Sequence, residues 1–229
     1  MDFNLKTTKD PDDPARFVAQ SILNQLKMNK RVLFFVTGGS SIDVGVRVSE
    51  ILQKNFKKEE NKNLVQNLTI ALTDERHGRV GHPDSNWKQL LDKGFSLLDA
   101  KIIPVLTGDE LIDTTQKFNM VLTQAFKNTD YKIGLFGIGA DGHTAGILPE
   151  SKAVNFEELV VGYEAPKFSR ITITPKAIEQ LDEAVVWAQG EEKWNTIQNF
   201  INTYPLMLKQ PAQVLKKVPL LTIFTDFKK

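Results

Sequence analysis

An α/β fold, with a mainly parallel twisted sheet, helices on both faces and Rossmann-like layering, is what this sequence predicts. Two observations lead there. Short β-rich apolar runs alternate with stretches of helical periodicity along the whole chain, the pattern of a parallel sheet covered on both sides. Glycine and polar residues cluster where those runs end, and in such sheets ligands bind beyond the carboxyl ends of the strands.

The elements follow in order. A first helix is expected from about Pro14 to Lys27, because proline suits a first helical turn. "RVLFFV" (31–36) has the length and composition of a buried strand, and a Gly-rich turn bounds it. Val44, Val48, Ile51, Leu52 and Phe56 then recur at three- and four-residue steps, as on an amphipathic helix. The charged run Lys54 to Asn63 reads as a solvated helix end and loop. "LTIALTD" (68–74) is the next strand, and "SNWKQLLDKGF" a helix capped by Ser85 or Asn86. "KIIPV" (101–105) is a weaker strand, 109–128 a helix and "YKIGLFGI" (131–138) a strand. "SRITIT" (169–174), "AVVWAQ" (184–189) and "LLTIFTD" (220–226) complete the strands, with helices near 191–202 and 206–217. The 229 residues are read as one domain spanning 1–229, long enough to bury a full core.

Composition narrows the partners. The formal net charge is +1, from 29 basic and 28 acidic side chains, which favours neither nucleic acid nor an anionic membrane but leaves room for a local basic pocket. Cysteine is absent; this removes disulfides, thiolate nucleophiles and Cys-ligated metal sites, and fits a reducing cytoplasm. The opening "MDFNLKTTKDPDD" is polar and acidic, unlike a signal peptide. No apolar run approaches the roughly 20 residues that span a bilayer.

Three strand-end loops are expected to converge on one crevice: "TGGSS", "TDERH" and "GIGADGHT". Gly137, Gly139 and Gly142 spell G-x-G-x-x-G after a strand, with Glu157 and Glu158 about 20 residues on, where a dinucleotide fold places its ribose ligand. Against that reading, Asp141 would set a carboxylate beside the pyrophosphate, and Pro149 leaves room for little more than a turn of helix. The other reading uses Asp141 and His143. Two residues apart on a tight turn, they can share a hydrogen bond or face one reacting atom, and histidine is the commonest general base. A plain turn Asp with an incidental surface His is the bland alternative.

"TGGSS" offers backbone N–H groups and the hydroxyls of Thr37, Ser40 and Ser41 at a helix N-terminus, apt for a sugar phosphate. It lacks the lysine of a P-loop. A simple strand-to-helix turn with Ser41 as N-cap explains it equally well. In "TDERH", Arg76 can stabilise an oxyanion or hold a phosphate, or Asp74, Glu75, Arg76 and His77 can form a surface ion-pair cluster. His77, His82 and His143 match no metal-ligand spacing.

Taken together these segments resemble the 6-phosphogluconolactonase family. "GIGADGHTAGILP" looks like its G-x-G-x-D-G-H-T-A-x-x-x-P motif, and "DERHGRVGHPDSN" like its D-E-R…D-S-N segment. "TGGSS", "RITIT" and "GEEKW" fall where that family carries its Gly-rich loop, its R-[IV]-T-[LI]-T strand and a G-x-x-K. The resemblance runs from about Arg31 to Trp194. The wider superfamily, with its deaminase/ribose-phosphate-isomerase-like architecture, includes glucosamine-6-phosphate deaminase, which shares the D-G-H.

The resemblance implies hydrolysis of 6-phospho-D-glucono-1,5-lactone to 6-phosphogluconate in the oxidative pentose phosphate pathway, without metal or organic cofactor. It implies a phosphorylated sugar lactone as partner, no nucleic acid or membrane, a cytoplasmic setting and a monomer or weak homodimer. By the same resemblance His143 activates water, Arg76 stabilises the oxyanion and Asp141 orients His143. Ser40, Arg170 and Lys193, with the Gly38–Gly39 backbone, hold the phosphate. Asp74 matches an acid/base of the deaminases. Two departures stand out. Gly78 and Arg79 replace a usual Val-Pro pair, so that Arg79 either adds a phosphate contact or points to water, and "PAQVLKKVPLLTIFTDFKK" is only loosely family-like. In the deaminases the D-G-H is followed by I-A-F-N-E-P; here Leu148 takes the place of that Glu. Deamination and non-catalytic sugar-phosphate sensing are the competing functions.

Overall fold

The computed structural model describes residues 3–96 and 99–228. Among these residues ten strands and six α-helices form in chain order: β1 (Asn4–Thr7), α1 (Asp12–Lys27), β2 (Val32–Val36), α2 (Ile42–Phe56), β3 (Leu68–Leu72), β4 (Asp74–Arg76), α3 (Asn86–Asp92), β5 (Lys101–Ile102), α4 (Leu111–Lys127), β6 (Tyr131–Phe136), β7 (Val160–Glu164), β8 (Ser169–Ile173), α5 (Pro175–Ile178), β9 (Glu183–Ala188), α6 (Trp194–Asn202) and β10 (Leu220–Thr225). Seven strands make one sheet in the order β1-β10-β9-β6-β2-β3-β5, parallel at every pairing.

Burial follows the composition of the strands. Every residue of β2 and of β9 is buried, as expected of strands covered on both faces, where apolar runs are continuous rather than alternating. α1 packs against α2, and the apolar stripe of α2 buries Val44, Val48 and Leu52. The β2–β6 pair is the topological switch point. From β2 the chain crosses to β3 and β5 on one side, and β6, β9, β10 and β1 lie on the other. A crevice opens at the carboxyl ends of such a pair.

The second sheet is a departure from the expected single one. Strands β4, β8 and β7 form an antiparallel three-stranded unit. Asp74, expected to end the 68–74 strand, forms a separate strand of it with Glu75 and Arg76, which were expected in the loop beyond, and 169–174, expected beside the other strands, also belongs there. Thr73 is the junction: its N–H donates to Val36 O at 3.0 Å, in register with the main sheet, and its carbonyl accepts from Ile173 N at 2.9 Å. The apolar pattern of a short strand specifies a buried face but not which edge it joins.

Smaller corrections have local causes. β5 is only two residues, because Pro104 cannot donate to a ladder. The helix expected near 206–217 is a 3₁₀ turn over Pro211–Lys217; Pro205 and Pro211 interrupt any regular α-helical ladder. β1 and β7 were not anticipated. The first is short and mostly exposed.

Candidate active site

The loop that follows β6 carries the densest chemistry. Asp141 Oδ1 lies 2.5 Å from His143 Nδ1 and also accepts from the His143 backbone N–H at 3.1 Å. A carboxylate can only accept, so Nδ1 carries a proton, and in the neutral ring Nε2 is the nitrogen with the free lone pair. That hydrogen bond holds the Asp141 carboxyl below its ordinary value.

Gly139 explains the glycine spacing. A Cβ there would fall 2.2 Å from His143 Nδ1 and Cε1 and 2.7 Å from Asp141 Oδ1. The glycine leaves room for the Asp–His pair rather than for a pyrophosphate. No helix follows the loop to present N–H groups to a dinucleotide; the next helical turn begins only at Lys152. Ala145 takes a left-handed backbone, φ 50°, unusual for a residue with a Cβ. It is held by the Thr144–Ile147 bridge and by Gly146 N, which donates to Thr172 Oγ1 at 3.0 Å. Residues beyond the stretch that carries the resemblance, from α6 and from the loosely family-like C-terminal segment, buttress this loop. Thr196 Oγ1 donates to Ala140 O at 2.5 Å and Ala212 N to Gly142 O at 3.0 Å.

The loop after β2 forms a 3₁₀ turn, Gly39–Ser41, leading into α2. Gly39 has φ 65°, a conformation glycine adopts freely. Ser41 occupies the N-cap position of α2 without capping it; its hydroxyl is directed at Trp187 O, 3.5 Å away. Ser40 Oγ accepts from Lys193 Nζ at 3.1 Å. Lys193 is 9% exposed, and burial pushes its ammonium below the ordinary lysine range, an effect that Glu192 and Asp226 oppose.

The β4–β8 pair supplies the opposite wall. Arg76 and Arg170 are directly opposed in register. Arg170 pairs with the buried Asp74 carboxylate at 3.4 Å. Arg76 Nη1 donates to Asp84 O at 2.8 Å. Glu75, the remaining member of the motif, is buried and accepts from Arg76 N, Asn86 N, Trp87 N and Ser85 Oγ at 2.6–3.1 Å. Burial pushes its carboxyl up and those four donors pull it back. Ser85 caps α3 as expected, accepting from Lys88 N.

These walls enclose a pocket of about 440 Å³. Gly38, Gly39, Ser40, Asp74, Arg76, His143, Arg170 and Lys193 all line it, and Asp141 is tied to it through His143. The sequence reading missed Asn86 and Glu192, which line it too. The "DSN" segment was the available signal for Asn86. Its Nδ2 donates to Asp74 O at 2.9 Å, and its side chain lies where a Cβ on Gly38 would stand. Arg79 is exposed and outside the pocket, so it points to water. His77 and His82 bond the carbonyls of Asp109 and Arg76 through Nε2. Among the described residues no three His, Cys, Asp or Glu side chains form a metal cluster. A larger cleft of about 680 Å³ lies around Lys6, Asp13, Arg16 and Phe17. Its charges are already engaged with each other or with aromatic faces, and it contains no histidine.

A family model described as glucosamine-6-phosphate isomerases/6-phosphogluconolactonase matches residues 10–222. A 6-phosphogluconolactonase of Borreliella burgdorferi is 28% identical over 207 residues, covering 85% of this chain and 83% of that protein. The crystal structure of a 6-phosphogluconolactonase from Shewanella baltica superposes with a TM-score of 0.80 at 19% identity, over 98% of each chain. A monomeric glucosamine-6-phosphate deaminase superposes almost as well, with a TM-score of 0.77 at 17% identity over 97% of each chain. The fold is therefore common to both activities, and the choice between them falls to the pocket.

Proposed function

The chain belongs to the glucosamine-6-phosphate isomerase/6-phosphogluconolactonase family, and on that premise we propose that it hydrolyses 6-phospho-D-glucono-1,5-lactone to 6-phosphogluconate. The observation that carries this reading is the pairing of His143 with Asp141 in a pocket whose other walls bear Arg76 and the Lys193–Ser40 contact. Lys193 and Ser40, with Arg170 and the Gly38–Gly39 backbone, hold the phosphate. This leaves the lactone ring toward His143 and Arg76.

The Asp141 carboxylate keeps the proton of His143 on Nδ1 and stabilises the imidazolium when it forms. Nε2 takes a proton from water as the hydroxide equivalent attacks the lactone carbonyl carbon. The negative charge that develops on the carbonyl oxygen is met by Arg76. Collapse of the tetrahedral intermediate breaks the bond to the ring oxygen, which receives the proton from Nε2. Water is consumed and the carboxylic acid ionises. Asp74, neutralised by Arg170, orients that cation rather than moving a proton.

Deamination is the second reading, since the family holds both activities. It asks for additional acid–base groups, and the residue in the relevant place is Leu148. Leu148 lines a separate hollow with Tyr163, outside the candidate pocket. Glu150 is ion-paired with Lys209. We take residues 1–229 to act as one domain, a reading supported by the continuous core that joins residues of both sheets. We also place its work in the cytoplasm, supported by the absence of cysteine; no described helix is long and apolar enough to cross a membrane. The deciding experiment is turnover of freshly generated lactone, corrected for spontaneous hydrolysis, beside ammonia release from glucosamine 6-phosphate. Lactone turnover without ammonia is expected, and ammonia production lost on His143→Ala would reverse the choice.

A further inference from the structure

The two opposed arginines are held in different ways. Like charges directly across an antiparallel pair disfavour one another unless each is compensated. Arg170 has the Asp74 carboxylate. Among the described residues no carboxylate is ion-paired with Arg76, whose Nη1 donates to two neutral acceptors, Asp84 O at 2.8 Å and Gln89 Oε1 at 3.4 Å. Its third partner is an aromatic ring: the guanidinium carbon lies 5.3 Å from the centroid of Phe168.

Phe168 is well placed to hold a cation. It sits in the β7–β8 hairpin turn, which Ala165 N closes by donating to Phe168 O at 3.2 Å. One residue on, Ser169 O accepts from His77 N at 2.8 Å, tying the hairpin to the end of β4 beside Arg76. An aromatic face attracts a guanidinium through its quadrupole and restricts its plane without contributing a formal negative charge. A carboxylate would orient the same group while cancelling the charge that an oxyanion needs.

We propose that Phe168 is a positioning residue for Arg76, fixing its guanidinium at the pocket wall while leaving its positive charge available to the developing oxyanion. The inference rests on the hydrolytic reading above and adds a residue that belongs to none of its motifs.

The test is a double-mutant cycle on lactone turnover, with thermal melts to verify folding. Phe168→Leu removes the ring and should lower kcat/KM roughly two- to thirty-fold, the kinetic equivalent of one cation–π contact. The loss should fall on kcat, with 6-phosphogluconate affinity little changed, and Phe168→Tyr should restore activity. In an Arg76→Ala background Phe168→Leu should have no further effect. Full activity in Phe168→Leu, or the same fold-loss with and without Arg76, overturns the inference while leaving the hydrolytic reading intact. If Phe168→Leu does not fold, Phe168→Tyr and Phe168→Trp carry the test: either one, folded but as impaired as Arg76→Ala, overturns it. Undiminished turnover in Arg76→Ala would remove the role of Arg76 and this inference with it.

Discussion

The Asp141 carboxylate binds His143 twice through a single oxygen, at the ring Nδ1 and at the backbone N–H. One contact sets the tautomer and the other the turn, so the Asp141–His143 pair is formed without substrate. Asp141→Asn should reduce turnover by roughly 10²-fold or more, approaching His143→Ala at about 10²–10⁴-fold, while product still binds. An amide can turn its NH₂ toward Nδ1 and move the ring proton to Nε2, the atom that must accept. The depressed Asp141 carboxyl stays ionised above its ordinary value of 3.8. Its contribution is present there and lost only as pH falls through the lowered folded value. Near-normal turnover by Asp141→Asn would show that tautomer control is unimportant.

Gly139→Ala probes the same pair without touching either residue. The backbone φ there is not left-handed, so alanine fits the conformation, but its Cβ would stand 2.2 Å from the ring. The half-exposed His143 must swing away. Turnover should fall on the scale of His143→Ala, with the melting temperature close to that of the parent. Retained activity would mean that the ring works from another position.

Lys193 gives a pH signature on the alkaline side. Its folded pKa is lowered from 10.5 by burial, so its charge is lost as pH rises through that lowered value, before an exposed lysine would lose it. Affinity for 6-phosphogluconate should weaken over this window, with proton uptake on binding visible by calorimetry in buffers of different ionisation enthalpy. The sign for stability is opposite. Folding disfavours the ammonium, so the group's penalty is relieved as pH rises from the folded value toward 10.5. Lys193→Ala should weaken product binding below that lowered value, since a charge-assisted contact contributes on the order of 1.5–3 kcal/mol, and the difference from the parent should narrow above it. Equal affinity in parent and variant would reassign the phosphate site.

Glu75 is a stability prediction. Oε1 accepts from Arg76 N and Asn86 N, and Oε2 from Trp87 N and Ser85 Oγ. Whichever way the amide of Glu75→Gln turns, at least one backbone donor faces an NH₂. An orphaned buried donor costs on the order of 1–3 kcal/mol, or a drop of several degrees in Tm for a chain of this size. An unchanged Tm would show that water satisfies these donors.

Much of this was legible in the residues. The buried strands β2, β6, β9 and β10 announced themselves by apolar runs, and the Asp141–His143 pair by its glycines. What stayed hidden was partner choice. "DER" and "SRITI" are too short and too polar to indicate that they leave the main sheet for each other, yet that pairing brings Arg76 and Arg170 to one wall. Asn86 and Phe168 were hidden for a related reason. Each acts by touching a residue remote in sequence, Gly38 for one and Arg76 for the other, and no local pattern encodes such a contact.

The tethers on the loop after β6 set a condition on how the protein comes into being. Residues 137–149 contain the proposed base, but Thr196 and Ala212 hold the loop in place, and β1 has no partner until β10 is laid beside it. On a ribosome, a chain that has extended only past His143 therefore owns the Asp141–His143 pair and the local hydrogen bonds of its turn, but none of the tethers from Thr172, Thr196 and Ala212. Catalytic competence should arrive late in translation, after the segment around Ala212 has left the exit tunnel. Turnover then reports on completed synthesis, and a chain truncated before that segment is silent even with its motifs intact.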